Sequence, residues 1–101
     1  MNYTISEIKQ CVEPIAKRYG VERVLLFGSF ARGEANSESD IDLRIDSGAL
    51  RGYFKLAGFR RELSETLNLN VDVLTTGALD EGFLSRIARE EVLLYEHIDG
   101  Y

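Results

Sequence analysis

Residues 40–46, Asp-Ile-Asp-Leu-Arg-Ile-Asp, alternate strictly between charged and apolar side chains. Alternation of this kind predicts a half-buried β-strand, Ile41 to Ile45, because side chains i and i+2 leave a strand on one face, roughly 6–7 Å apart. Ile41, Leu43 and Ile45 therefore require a core. Asp40, Asp42, Arg44 and Asp46 share the opposite face, and two adjacent carboxylates raise each other's pKa unless something positive lies between them. A hard divalent ion meets that need. Mg²⁺ prefers oxygen ligands and is commonly held by one or two carboxylates plus substrate phosphates; nothing in the residues separates it from Mn²⁺.

Upstream, an apolar run, Val24-Leu25-Leu26-Phe27, leads directly into Gly28-Ser29. Glycine at a strand-to-helix turn lets backbone approach a ligand closely, and the N–H groups opening the next helix suit a phosphate. Ser29 adds a hydroxyl donor and Arg32, one turn on, a charged one. Gly28, Ser29 and Arg32 are thus candidate nucleotide-binding residues, with a triphosphate on the turn and its metal on the Asp pair. A P-loop is excluded. Gly28 and Gly33 have its glycine spacing, but Glu34-Ala35 stand where Lys and Ser/Thr are required.

Gly-Ser followed ten residues later by Asp-x-Asp resembles the signature of the DNA polymerase beta superfamily of nucleotidyltransferases. The fuller string FGSFARGEANSESDIDL is similar to its smallest branch, the minimal nucleotidyltransferases. The resemblance spans most of the chain: a leading helix, the motif, a later Asp on a strand (Val71-Asp72-Val73), and an ending like Ile87 to Tyr95. It implies that Asp40, Asp42 and Asp72 bind metal and form the catalytic carboxylate set, with Asp72 as general base.

The remaining chain supplies a frame for those residues. Thr4 and Glu7 have capping-box spacing, and Ile5, Ile8, Val12, Ile15 and Tyr19 form one apolar stripe over a helix at 4–19 that Pro14 kinks or restarts. Gly20 is its expected C-cap. A short helix is expected from Ser29 to Arg32, then a polar loop at 33–39. A second long helix is expected over 49–67, with Tyr53, Leu56, Phe59, Leu63 and Leu67 as its stripe, so that Tyr53 and Phe54 read as core. Strands at Val71–Leu74 and Val92–Tyr95 flank a last amphipathic helix at 80–90. Arg44 is expected to pair with Asp46 or Asp72, and His97 and the strip Arg51, Lys55, Arg60, Arg61 to be solvated. The expected fold is α/β: a small twisted mixed sheet with helices on one face and an open cleft on the other, all within a single domain at 1–101.

Composition narrows the function. Seventeen acidic against twelve basic residues give a net charge of −5, which counts against direct nucleic-acid binding. No apolar run approaches the ~18 residues of a membrane span, and no secretory signal is visible. The single cysteine, Cys11, excludes an internal disulfide, agrees with a cytoplasmic setting and reads as a helix packing residue. Many minimal nucleotidyltransferases are antitoxins paired with HEPN-domain toxins, so the resemblance implies AMP transfer from ATP to a toxin hydroxyl, a tyrosine in the known pattern, within a hetero-oligomer. Two alternatives stand beside it: an antitoxin that neutralises by binding alone, and a small-molecule, aminoglycoside-type nucleotidyltransferase.

Overall fold

Helix α1 (Ile5–Tyr19) starts at its capping box. Thr4 Oγ1 accepts the Glu7 N–H at 3.1 Å and Glu7 Oε1 accepts the Thr4 N–H at 2.8 Å, satisfying two donors that a helix end otherwise leaves open. Gly20 closes the helix in the left-handed region, at φ 75°. Pro14 does not divide it, since Pro14 lies on the exposed side and the helix runs through. The computed structural model describes residues 3–98.

Four strands follow: β1 (Arg23–Phe27), β2 (Ile41–Asp46), β3 (Val71–Thr75) and β4 (Val92–Glu96). Their order in the sheet is β3-β2-β1-β4, with β1 antiparallel to both neighbours and β2 parallel to β3. The expected mixed sheet is therefore present. A parallel pair needs a crossover of helical length, and α3 (Tyr53–Leu67) provides it. Alternation then sorts the strands: Val24, Leu26, Ile41, Leu43, Ile45, Val71 and Leu94 point into one core with Ile8 and Val12 of α1 and Phe59, Leu63 and Leu67 of α3. At the free edge of β3, Val71 N–H donates to Ser64 Oγ at 3.2 Å and Val71 O accepts Arg60 Nε at 3.0 Å. Arg60, expected on a solvated face, thus ties α3 to the sheet.

Three expectations change. Helix α3 begins at Tyr53 rather than 49, because Gly48 and Gly52 adopt φ 59° and 88° and buried Leu50 pins the segment between them outside the helix. Its first turn consequently overshoots the sheet: Tyr53 is 78% and Phe54 89% exposed, and the buried stripe comprises Phe59, Leu63 and Leu67. The aromatic pair is not core. The last helix, α4 (Glu81–Ala88), lies across the sheet from α1 and α3. Phe83 packs edge-on against Phe27, ring centroids 5.9 Å apart, and Phe27 lies opposite Asp42 on the strand face that carries the carboxylates. Helices α1 and α3 cover one face as expected, while α4 covers part of the other. Among the described residues no helix is long and apolar enough to cross a membrane.

Candidate active site

The register of the sheet brings the carboxylates together. Asp42 pairs with Phe27 on β1 and with Asp72 on β3, so Asp72 meets the Asp40–Asp42 pair across the parallel strands. Asp40 stands at the entry to β2, where the Ile41 N–H donates to Asn70 O at 3.0 Å. Asn70 also reaches the Asp72 carboxylate with its amide, Nδ2 to Oδ1 at 3.5 Å. Asp42 is half-buried and its pKa is pushed from 3.8 up to about 6. Burial is the main cause, with repulsion from Asp72 and Asp40 added and Arg32 opposing.

Phe27 delivers the chain into Gly28, which adopts φ 79° and precedes α2 (Ser29–Arg32), a single helical turn ended by Gly33. A side chain at Gly28 would run into Oδ2 of Asp42. Glycine is required here twice over, by a backbone conformation that other residues avoid and by the carboxylate packed against its Cα. Ser29 is half-buried and Arg32 exposed on the same turn.

Glu90, which sequence reasoning missed, completes this corner. One of its oxygens accepts the Gly28 N–H at 2.5 Å, and both accept Arg32 Nη1 at 3.2 Å. Arg32 Nε donates to Glu34 at 2.9 Å. The guanidinium assigned to phosphates is thus held by two carboxylates at the rim of the turn. Arg44 makes the expected ion pair with Asp46, but its closer partner is Glu91, bound through Nε at 2.6 Å and Nη2 at 3.0 Å, with Thr76 Oγ1 at 2.8 Å. Asp46 is a longer contact at 3.8 Å, and no bond to Asp72 forms among the described contacts. Asp46 itself accepts Arg23 Nε at 2.7 Å; burial pushes its pKa upward, but the Thr76 hydrogen bond and Arg23 outweigh this and leave it lowered. Glu90 and Glu91 had no signal of their own, since Arg89-Glu90-Glu91 reads as an ordinary charged helix end.

Among the described residues, no group of three or more His, Cys, Asp or Glu stands close enough together to hold a metal ion on its own. An open site is what Mg²⁺ uses, because water and substrate phosphate complete its shell. The donor chemistry suits such an ion: three hard carboxylate donors on or beside neighbouring strands, one of them raised to about 6 by burial and, after it, by the charges of the other two. Cys11 packs beside the core and His97 is exposed on the far side, its N–H donating to Glu22 O at 2.8 Å; neither belongs to the site.

Carboxylates on adjoining parallel strands, beside a glycine turn that closes onto one of them, define a nucleotidyltransferase of the polymerase beta type. The chain belongs to that family: the family described as "Polymerase beta, Nucleotidyltransferase" matches residues 9–99. Among its relatives, "Putative protein adenylyltransferase MJ0435" of Methanocaldococcus jannaschii is 39% identical over 88 residues, covering 87% of this chain and 95% of the relative. "Protein adenylyltransferase MntA" of Thermococcus cleftensis is 30% identical over 93 residues, covering 88% and 94%. Among solved structures, the fold recurs in one chain of the complex of tri-AMPylated Shewanella oneidensis HEPN toxin with MNT antitoxin. That match has a TM-score of 0.71 at 12% identity and covers 93% of this chain and 74% of the other.

Proposed function

We propose that this chain transfers AMP from ATP to a hydroxyl of a partner protein, and that the partner is a HEPN-type toxin silenced by the modification. The observation that carries the reading is the register that sets Asp72 beside Asp42 on neighbouring strands, with the Gly28 turn packed against the Asp42 carboxylate. The nearly full-length match to proteins named protein adenylyltransferases supports the transfer. The AMPylated toxin in the structural neighbour supports the acceptor class.

In this reading the Gly28 turn, Ser29 and Arg32 bind the triphosphate. Asp40, Asp42 and Asp72 would hold Mg²⁺ or Mn²⁺, which supplies Lewis-acid stabilisation of charge on the phosphates. The acceptor oxygen attacks the α-phosphorus, the bond from that phosphorus to the bridging oxygen breaks, and pyrophosphate leaves with the electron pair. Asp72 takes the hydroxyl proton. Its place on the edge strand leaves room for a macromolecular acceptor on that side. The single domain contributes catalysis, and the partner contributes its own docking surface within a cytoplasmic hetero-oligomer.

The test is intact-mass spectrometry of the product of the adjacent gene, incubated with this chain, ATP and Mg²⁺. Additions of AMP mass that disappear with Asp42→Ala establish the transfer. Tight association without any mass change gives the function to binding-only neutralisation, and the absence of both gives it to a small-molecule acceptor.

A further inference from the structure

Glu90 lies 62 positions beyond Gly28, yet its carboxylate makes the closest polar contact described at the turn. It is anchored from behind. Glu90 follows α4, its own N–H donating to Ile87 O at 3.0 Å, and α4 is fixed to the sheet by buried Ile87 and the Phe83–Phe27 contact. The side chain is 23% exposed, so its direction is set by packing rather than by solvent.

That carboxylate does two things at once. Gly28 is buried, and its N–H needs an acceptor in a conformation that leaves no strand or helix partner for it; Glu90 supplies one. Arg32 has a long side chain whose freedom is costly to remove on ligand binding. Clamped between Glu90 and Glu34, it has lost that freedom in advance. We propose that Glu90 is the positioning residue of the nucleotide turn, presetting Gly28 and Arg32 so that the Ser29 hydroxyl and the Arg32 guanidinium meet a triphosphate in one fixed arrangement. The proposal rests on the nucleotide reading of this turn given above.

Equilibrium titration of the full chain with MgATP, at a temperature well below melting, tests it. Glu90→Ala is expected to weaken binding about tenfold, the scale of one lost charge-assisted hydrogen bond. Glu90→Gln, whose amide oxygen still accepts the Gly28 N–H, should recover most of that loss. Combining Glu90→Ala with Arg32→Ala should cost less than the two single losses together, because both act through one guanidinium. A Glu90→Ala protein that melts earlier but binds MgATP unchanged would make Glu90 a mere strut and overturn the proposal. Tighter binding in both Glu90 variants would overturn it differently, by making the carboxylate a competitor of phosphate. Should Glu90→Ala not fold, Glu90→Asp takes its place. One methylene short of Gly28, it should show the same loss, and an unchanged affinity refutes the idea. Wild-type protein that fails to bind MgATP removes the nucleotide reading itself, before any variant is compared.

Discussion

Asp42→Asn should stabilise the metal-free protein while abolishing transfer. The carboxylate is raised from 3.8 to about 6 by burial and by Asp72 and Asp40. Each tenfold change in proton affinity corresponds to about 1.4 kcal/mol, so keeping Asp42 ionised at neutral pH costs the fold about 3 kcal/mol before screening. The group is partly open to water, which reduces this to about 1–2 kcal/mol. The sign follows from the direction of the shift. Below about pH 4 the group is neutral whether the chain is folded or not, and nothing is lost. As pH rises through about 6 the folded protein alone resists ionisation, and stability falls. Asparagine is nearly isosteric and never ionises. In EDTA at pH 7.5 the variant should therefore melt about 5–10 °C higher, at about 4–8 °C per kcal/mol for a domain of this size. The gap should close as pH approaches 4, and Mg²⁺ should narrow it from the other side by stabilising only the wild type. Differential scanning calorimetry at both pH values reads this out. Equal or lower melting of the variant at pH 7.5, or a gap unchanged at pH 4, refutes the argument that charge crowding at Asp42 destabilises the fold.

Three other outcomes can be checked by the same melting experiments. Gly28→Ala forces a side chain into φ 79° and against Asp42, and should cost about 1–3 kcal/mol together with loss of MgATP binding. Arg44→Leu leaves Glu91, 9% exposed, without its bidentate partner; a loss of about 3 kcal/mol is expected, most of it recovered in the double variant with Glu91→Leu. Phe59→Ala should cost about 3–5 kcal/mol, whereas Phe54→Ser, five residues away on the same helix, should stay within about 0.5 kcal/mol.

What the sequence made legible was local. The alternation of residues 40–46 defines which side of β2 is buried, the Thr4–Glu7 spacing marks where α1 begins, and Gly28 announces a turn. Asp72 could be placed beside Asp42 only through the family resemblance, since a lone acidic residue in a strand says nothing of its neighbour. Tyr53 and Phe54 misled for a geometric reason: helical periodicity tells which face is apolar but not how far the helix extends past the sheet beneath it. Glu90 and Glu91 were invisible for a topological one. Their partners lie 62 and 47 residues away, and only the packing of α4 on the carboxylate face chooses them from among other glutamates.

The closure of β3 by Arg60 and Ser64 bears on how such a chain can associate. An open strand edge invites any other extended chain to add to the sheet. At Val71, next to Asp72, both outward backbone groups are already taken by side chains of α3. Strand addition is thereby discouraged beside Asp72, where the proposed acceptor would come and go, and a visiting protein would have to be recognised through side chains there. The opposite edge, β4, carries half-exposed Leu93. A lasting backbone-to-backbone union can form at β4 without shutting the site.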